Sequence, residues 1–289
     1  MPGVVEASAE VLAPMFVPRK SGSRKGENGR VLVVGGSWLY HGAPIHAAEG
    51  ATRAGVDLVY VAVPRVIADP VRSYSADFIV FPLSDQKLTT GAVRRLLKWL
   101  PEIDSAVVGP GLGWQPYDGV KLLCSELVSR KVRLTLDADA LRRDVVAACR
   151  GGDVVLTPHS GEFNRLTGEQ LPAQGDLRAE MVAKAAAEMG VVVLAKGPVD
   201  IASDGTTSYV SRTGCSAMTV GGTGDVLAGL VSGLMALRMS PLHAAACASF
   251  ANGRAGEAAK RLLGNHITAT DVARLLPTTL KDFDREEQQ

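Results

Sequence analysis

The sequence has little net charge, few aromatic residues and no long apolar run. Its 31 Lys and Arg residues balance 30 Asp and Glu residues, so the formal net charge is +1 and nothing indicates a nucleic-acid partner. No stretch of about 18 apolar residues is free of charge, which predicts that no segment crosses a membrane. The first residues, MPGVVEASAEVL, are acidic where a secretory signal is basic. We therefore expect a cytoplasmic protein.

Cysteine is also scarce, and its placement argues against two further classes of protein. The four cysteines lie far apart in sequence, and no pair has the spacing of metal ligands: Cys124, Cys149, Cys215 and Cys247. They are predicted to be reduced core residues rather than a disulfide framework. Aromatic residues make up only 5% of the chain, against 31 glycines, which argues against an aromatic-rich antiparallel β fold.

Most of the chain alternates short apolar runs with helical patterns. Seven runs rich in Val, Ile and Leu are long enough to be buried strands: RVLVV, DLVYVAV, FIVFPL, SAVVG, VRLTLD, DVVLTP and VVVLAK. Helical patterns separate most of them: APIHAAEGATRAG, AVRRLLKWL, YDGVKLLCSELVSR, ADALRRDVVAACR and LRAEMVAKAAAEMG. This alternation predicts an α/β fold with a central, mainly parallel sheet and helices on both faces.

The two ends and the last third of the chain show other patterns. The segment DIASDGTTSYV predicts a hairpin about its Asp-Gly turn, and the helices predicted after it cover 225–238, 241–262 and 269–276. Residues 1–28 form an N-terminal extension with only a weak pattern, in which the basic segment VPRKSGSRKGENG is predicted to be a loop. Residues 280–289 are predicted to be a frayed polar tail. No internal repeat or linker divides residues 1–289, so a single domain is expected.

Residues that follow the strands are candidates for a site, because ligands bind beyond the carboxyl ends of the strands in such sheets. The first strand is followed by GGS and then by YHGAP, small residues that would admit a flat ligand or simply form a turn. The fourth strand is followed by GPGLG at 109–113. This motif lacks the G-x-G-x-x-G spacing of dinucleotide-binding oxidoreductases, which argues against that class.

The next three strands are followed by charged side chains. Asp137 and Asp139 of DADAL could bind magnesium through water or cap a helix, and capping is favoured for one of them. In TPHSGEF, His159 is either structural or functional, and Glu162 either complements a helix dipole or binds magnesium through water. Lys196 of AKG is either a mobile positive charge near phosphates or a surface lysine beside a turn.

A glycine cluster stands directly before an apolar helix in VGGTGDVLAGL, residues 220–230. The N–H groups of Gly222, Thr223 and Gly224 can point the same way and continue into the free N–H groups of the helix, which would form an anion hole. No Lys-Ser/Thr pair follows, so the motif is not a P-loop. A carboxylate is repelled by bound phosphate. Asp225 is therefore interpreted as a base that takes a proton from a hydroxyl attacking phosphorus, rather than as a simple helix-terminal acid.

These motifs, in this order, resemble the ADP-dependent NAD(P)H-hydrate dehydratases of the ribokinase-like superfamily. The resemblance covers residues 10–278 and rests on VVGGS with YHGAP, GPGLG, LDADAL, TPHSGEF, AKGPVDI and GGTGDVLAG. It implies a three-layer α/β/α sandwich and a repair enzyme that acts on NADHX and NADPHX, the hydrates of NADH and NADPH. ADP, or ATP in some relatives, would phosphorylate the hydrate. Loss of phosphate would then restore the reduced cofactor, and AMP would be left from ADP.

The same resemblance implies roles for individual residues. Asp225 would be the base, beside the anion hole of Gly222, Thr223 and Gly224. The residues implied to contact the hydrated cofactor are Ala43, Gly111, Gly113, His159 and Asp225. The residues implied to hold the adenine nucleotide are Lys196, Gly197, Pro198, Val199, Asp200 and Gly224. Magnesium is expected from the phosphoryl chemistry, with Glu162 or Asp139 as possible ligands through water.

The sequence also departs from the family and leaves an alternative open. Many members have an Asn-containing segment where this chain reads GCSAM, so Cys215 replaces an amide side chain. Fewer than 30 residues precede the first predicted strand, so epimerase activity is expected from a separate chain. The resemblance also implies a homotetramer. The main alternative is a ribokinase-like kinase of a small alcohol, such as hydroxymethylpyrimidine, hydroxyethylthiazole or a sugar.

Overall fold

The computed structural model describes residues 3–173 and 175–287, most of which pack on one large sheet. The strands are β1 (Gly3–Glu6), β2 (Arg19–Lys20), β3 (Arg30–Val34), β4 (Leu58–Pro64), β5 (Phe78–Leu83), β6 (Ser105–Val108), β7 (Arg133–Leu136), β8 (Val154–Leu156), β9 (Val192–Ala195), β10 (Asp200–Ser203), β11 (Thr207–Ser211) and β12 (Glu286–Glu287). The α-helices are α1 (Ala9–Leu12), α2 (Gly42–Arg53), α3 (Arg65–Tyr74), α4 (Thr90–Trp99), α5 (Tyr117–Ser129), α6 (Arg143–Ala148), α7 (Ser160–Thr167), α8 (Asp176–Met189), α9 (Thr223–Ala236), α10 (Pro241–Leu263) and α11 (Ala269–Leu280).

The large sheet is mainly parallel, as the sequence predicts. Its strand order is β1-β11-β10-β9-β8-β7-β6-β3-β4-β5. Strand β10 pairs antiparallel with β9 and with β11, which confirms the predicted hairpin, and the other ladders of this sheet are parallel. The seven apolar runs form β3 to β9. All of these except the edge strand β5 are buried on both faces, and such strands contain nearly continuous apolar residues.

Helices cover both faces of the sheet and complete three layers. In β3, Leu32 and Val34 pack into a core with buried residues of α4 to α8. The alternate residues Val31 and Val33 pack into a core with α2, α3 and α9 on the other face, and α10 and α11 extend that layer. Side chains alternate between faces along a strand, so one short apolar run supplies both cores. The predicted three-layer α/β/α sandwich is confirmed.

The ends of the chain are more ordered than the sequence suggested. Strand β1 adds to the sheet parallel to β11, and Leu12 of α1 is fully buried. At the other end, β12 pairs with β2, and the ring of Phe283 stacks on Phe16 with centroids 4.6 Å apart. Residues 3–12 thus contain elements that the weak sequence pattern did not indicate, and the prediction of a frayed tail is wrong for residues 281–287. Residues 288 and 289 of the predicted tail lie outside the described residues.

Several helix predictions also need correction. Helix α3 was not expected, and ADALRRDVVAACR forms a short 3₁₀ turn at Ala138–Ala140 followed by α6 rather than one helix. The reason lies in the backbone between them, since Leu141 is non-helical with a ψ of 78° and Arg142 is extended with a φ of −137° and a ψ of 143°. Helix α9 begins at Thr223, and α11 continues to Leu280. No helix in the described ranges is long and apolar enough to cross a bilayer.

All four cysteines are free thiols. Cys124, Cys149 and Cys247 are buried, as predicted for core residues, and Cys215 is half-buried. The thiol of Cys215 donates to the carbonyl oxygen of Gly256 at 3.6 Å, so it contacts helix α10.

Helices α2 and α9 touch through their backbones, and this contact anchors the start of α9. A Cβ added to Gly229 would lie 1.9 Å from the carbonyl oxygen of Ala47, and one added to Gly50 would lie 2.0 Å from that of Val226. Such distances leave no room for a side chain, so the two glycines are required by packing. The first turn of α9 is thereby held rigidly against α2.

We predict that Gly229→Ala destabilises the protein by about 1–3 kcal/mol or more, because the added methyl group must push two buried helices apart. The free energy of unfolding in denaturant measures the effect. Gly91→Ala in α4 is the matched control, since its Cβ would meet no described atom closer than 3.6 Å. The control is expected to be neutral or to stabilise by up to about 1 kcal/mol. Equal changes in the free energy of unfolding of the two variants would show that the contact between α2 and α9 is not tight.

Candidate active site

The motifs that follow the strands lie side by side at one edge of the sheet. Strands β9, β8, β7, β6 and β3 are consecutive neighbours and run in the same direction. The segments that follow these strands therefore lie together at the edge formed by the carboxyl ends of the strands. These segments are 35–43, 109–113, 137–139, 157–162 and 196–200. The N-terminus of α9 meets the same edge, since a Cβ added to Gly224 would lie 3.2 Å from Nζ of Lys196.

Tight backbone packing forms one wall of this edge. Gly109 has a φ of 130°, and a Cβ on it would lie 1.8 Å from the carbonyl oxygen of Asp137. A Cβ on Gly111 would lie 2.9 Å from Cβ of Ala43, and the N–H of Gly113 donates to Asp139 at 2.8 Å. GPGLG is thus wedged between the loops that follow β3 and β7. The structure brings Ala43, Gly111 and Gly113 together, and their contact with a cofactor stays a prediction.

Lys196 is a buried, fixed lysine rather than a surface residue. Its Nζ lies 2.8 Å from Oδ1 of Asp137, and the two side chains are 18% and 3% exposed. Thr157 donates its hydroxyl to the same carboxylate oxygen at 2.7 Å. Burial lowers the pKa of Lys196, but the nearby carboxylates of Asp137 and Glu162 outweigh it and hold the pKa above its usual value. The amine is therefore a permanent positive charge beside Gly224.

His159 and Glu162 form a capping box at the start of α7. The Nδ1 atom of His159 accepts the N–H groups of Gly161 and Glu162 at 3.0 and 3.3 Å, and Glu162 accepts the N–H of His159 at 2.9 Å. Glu162 thus has the predicted helix-terminal role, and its binding of magnesium through water stays a prediction. The His159 side chain is 59% exposed, so its ring still faces the solvent.

The capping role favoured for Asp137 or Asp139 is wrong. Asp137 pairs with Lys196, Asp139 accepts from Gly113, and α6 begins later, after Arg142. These carboxylates also do not make a metal cage, since no group of three or more His, Cys, Asp or Glu among the described residues could hold a metal ion. A magnesium ion held by the chain alone therefore does not fit this donor set, since Mg²⁺ is usually bound by one or two carboxylates together with phosphates and water.

Asp200 fixes the loop after β9 by hydrogen bonds within the loop and to helix α10. The N–H of Gly197 donates to Oδ1 of Asp200 at 2.8 Å, and Ser249 donates to the other carboxylate oxygen at 2.8 Å. Burial raises the pKa of Asp200, and the hydrogen bonds from Gly197 and Ser249 oppose this shift. Gly197 and Pro198 are exposed at the tip, while Val199 is buried. Ser249 was not anticipated, since a serine within an alanine-rich helix carries no local signal.

The glycine cluster has the backbone expected of an anion hole. Gly222 has a φ of 98°, and the first helical bond of α9 runs from the N–H of Val226 to its carbonyl oxygen. The N–H groups of Thr223 and Gly224 therefore have no acceptor within the helix. The Thr223 hydroxyl donates to the carbonyl oxygen of Met218 at 2.9 Å, which ties the turn down. Anion binding at this turn stays a prediction.

Asp225 differs from the other carboxylates at this edge. Among the described residues, no hydrogen bond or ion pair engages its side chain, whereas Asp137, Asp139 and Glu162 are all engaged. The pKa of Asp225 is raised to about 8, mainly because of burial and then because of the charge of Asp137, while the charge of Lys196 opposes the rise. A carboxyl group with this pKa changes protonation near neutral pH, which suits a general base.

Comparison with known proteins agrees with this architecture. The Carb_kinase family model, described as NAD(P)H-hydrate dehydratase, matches residues 31–278. The ADP-dependent (S)-NAD(P)H-hydrate dehydratase of Cenarchaeum symbiosum is 51% identical, over 94% of this chain and 96% of its own. That of Nitrosopumilus maritimus is 49% identical, over 95% and 96%.

A solved structure gives the same result. The ADP/ATP-dependent NAD(P)H-hydrate dehydratase from Bacillus subtilis, co-crystallized with ATP/Mg2+, superposes with a TM-score of 0.83 at 25% identity. The match covers 96% of this chain and 98% of that one. The fold, the order of the motifs and the sequence identity over nearly the full length all indicate the same family. The chain belongs to the NAD(P)H-hydrate dehydratase family.

Proposed function

We propose that this protein dehydrates NADHX and NADPHX at the expense of ADP, giving NADH or NADPH, AMP and phosphate. The names of relatives that are about half identical over nearly the whole chain support this activity. The structural observation that carries it is Asp225, a half-buried carboxylate without a hydrogen bond or ion pair among the described residues, in the first turn of α9 beside the N–H groups of Gly222 to Gly224. A base next to an anion hole suits phosphoryl transfer to a hydroxyl group.

In the first step, ionised Asp225 takes the proton of the hydrate's hydroxyl group. The hydroxyl oxygen then bonds to the terminal phosphorus of ADP, and the bond from that phosphorus to the bridging oxygen breaks to release AMP. The N–H groups of Gly222, Thr223 and Gly224 would donate to the phosphoryl oxygens. The fixed amine of Lys196 lies beside Gly224 and would offset the negative charge that develops there.

In the second step, phosphate leaves with the former hydroxyl oxygen, and a proton is lost from the adjacent ring carbon. The ring double bond is thereby restored. The water that hydrated the cofactor ends as an oxygen of phosphate and two protons, so the atoms balance. A phosphate ester is a better leaving group than hydroxide, which is the chemical reason for consuming a nucleotide.

The two substrates would lie on either side of the transferred phosphoryl group. We place the hydrated cofactor against the wall of Ala43, Gly111 and Gly113, with His159 at its rim. We place the adenine nucleotide on residues 196–200 and Gly224. Magnesium, when bound, would neutralise phosphate charge; because the donor set does not form a cage, we expect the nucleotide phosphates and water to hold it.

We also propose a homotetramer in the cytoplasm. Exposed apolar surface near the site supports association, since Trp38 and Trp114 are 72% and 79% exposed. Light scattering during gel filtration would measure the mass in solution.

The activity is tested by following the absorbance of the reduced nicotinamide when purified protein is mixed with NADPHX, magnesium and either ADP or ATP. A nucleotide-dependent rise, accompanied by AMP when ADP is the donor, supports the proposal and chooses the donor. No rise from folded protein that binds nucleotide contradicts it. A stable phosphorylated product from a small alcohol would then assign the chain to the kinases that were the main alternative.

We predict that Asp137→Asn moves the acid limb of the pH profile of kcat/KM to lower pH. The charge of Asp137 raises the pKa of Asp225, and Lys196 lowers it. Removing the Asp137 charge eliminates the first effect and frees the Lys196 amine, so both changes favour ionised Asp225. Wild-type activity should rise with pH towards the pKa of about 8, because the base must be ionised. Asp153→Asn, whose side chain is 58% exposed and pairs with Arg133, is the control and should leave the profile in place. If the acid limb lies at the same pH in the wild type, in Asp137→Asn and in Asp153→Asn, Asp225 is not the group that titrates.

A further inference from the structure

Arg178 of α8 is fully buried directly behind the loop that follows β9. Its guanidinium group donates to four main-chain carbonyl oxygens, of Pro172 at 2.7 Å, Ala195 at 3.2 Å, Lys196 at 3.0 Å and Val199 at 3.1 Å. Three of these acceptors belong to one turn of chain, residues 195–199. A planar group with donors in fixed directions can hold several carbonyl groups in one arrangement, which the single ammonium group of lysine cannot.

The same turn is pressed onto the guanidinium group. A Cβ added to Gly197 would lie 2.7 Å from Nη2 of Arg178, so a side chain at this position would displace either the guanidinium group or the turn. From the other side, Asp200 accepts the N–H of Gly197 and is itself held by Ser249. The carbonyl groups and one N–H of the turn are thus fixed from both directions.

The backbone of Lys196 is fixed by the same contacts. Its carbonyl oxygen accepts from Arg178, and its N–H donates to the carbonyl oxygen of Pro158 at 2.8 Å. Its side chain then runs to Asp137 and lies beside Gly224. A change at Arg178 would therefore reach the exposed tip at Gly197 and Pro198, while the amine next to the anion hole stays tied to Asp137.

Packing alone does not explain a buried arginine here. On the same helix, Ala179, Val182 and Ala186 fill the core with apolar side chains. Removing a guanidinium group from water is costly unless all its donors are satisfied, so a purely structural position would be filled more cheaply by an apolar residue. A cation that satisfies several carbonyl groups of one turn is explained by the shape that it gives to that turn.

We propose that Arg178 is a positioning residue for the adenine nucleotide, acting through residues 195–199 without touching the ligand. The role deepens the proposed function, since it rests on ADP binding at this turn. Arg178 organises the binding surface, so its loss should weaken nucleotide binding far more than it slows the chemical step. The hydrated cofactor binds on the other side of the phosphoryl group, so its KM should stay unchanged.

The first test is Arg178→Lys, which keeps the charge but loses the planar donors. We expect the KM for ADP, and the dissociation constant of ADP measured by calorimetry, to rise by about 10- to 100-fold, with kcat changed by less than about threefold. Lys184→Gln on the same helix is the control, because Lys184 pairs with Glu169 at the exposed surface. This control should match the wild type in both constants.

The second test changes the turn itself rather than the arginine behind it. Gly197→Ala should weaken ADP binding in the same way, because its Cβ would push the turn away from Nη2. In Arg178→Lys/Gly197→Ala the two losses should be clearly less than multiplicative, since both changes break the same contact. Full multiplication of the two losses would overturn the positioning role.

Other outcomes also decide the question. Unchanged ADP affinity in folded Arg178→Lys would overturn the proposal, as would an equal loss in kcat and in both KM values. Calorimetry needs no turnover, so wild-type protein that binds ADP but forms no NADPH would contradict the proposed dehydration and still leave the role of Arg178 open to measurement.

Discussion

Asp225→Asn is expected to lower kcat by about 10²–10⁴-fold while leaving ADP binding largely intact. The carboxylate is the proposed base, and loss of a positioned base typically costs this much. The amide is nearly isosteric and removes a charge that bound phosphate would repel, so calorimetry should show ADP affinity equal to or above that of the wild type. Asp118→Asn is the control, since Asp118 is also an acid in the first turn of a helix but is 77% exposed. Near-full activity in Asp225→Asn would show that another group is the base.

The same variant has a stability signature that does not depend on turnover. The native pKa of Asp225 is about 8 and its ordinary value is 3.8, so the native state binds more protons than the unfolded state between these values. The stability of the wild type should therefore fall as pH rises from about 4 to about 8. Asparagine abolishes this loss, and the gain in Tm should be near zero at pH 4 and largest above pH 8. A gain of about 1 kcal/mol corresponds to about 2–4 °C in a domain of this size.

Lys196→Met is expected to lower kcat/KM by about 10²–10³-fold and to destabilise the protein. The amine would stabilise charge on the transferred phosphoryl group, and removing one such electrostatic contact typically costs this much. Asp137, only 3% exposed, would lose its counterion, which costs about 3–5 kcal/mol in a buried pair. Denaturant unfolding and steady-state kinetics measure the two effects separately.

The double variant Lys196→Met/Asp137→Asn separates activity from stability. Both charges are removed, and the amide oxygen can still accept the hydroxyl of Thr157, which donates to Asp137 in the wild type. Most of the lost stability should return while activity stays low. Recovery of both would mean that Lys196 acts only as a structural counterion.

The sequence predicted the sheet well because the strands between its two edges are mostly buried on both faces. Runs such as RVLVV contain little else than apolar residues, which distinguishes them from amphipathic helices. The secondary structure at the two ends of the chain was not predicted, because it depends on partners that are distant in sequence. Strand β1 pairs with β11 about 200 residues away, and Phe16 stacks on Phe283.

Part of the candidate site was also accessible from local chemistry. The glycines and the acid of GGTGD directly suggested an anion hole beside a base. The contacts around this base could not be predicted from local sequence. Lys196 and Asp137 are 59 residues apart in sequence, and they meet because β7 and β9 both pair with β8. Arg178 gave no signal, since an arginine within an amphipathic helix is normally exposed.

The central claim is that the phosphoryl group of ADP is transferred to the hydroxyl group of the hydrate. The most direct measurement is to prepare NADPHX with heavy oxygen in that hydroxyl group, to let the enzyme turn it over with ADP, and to determine the mass of the released phosphate. The account predicts that each phosphate carries one heavy oxygen, in amounts equal to the NADPH and AMP formed. Unlabelled phosphate, with the heavy oxygen in water, would show that ADP is hydrolysed separately and would contradict the mechanism.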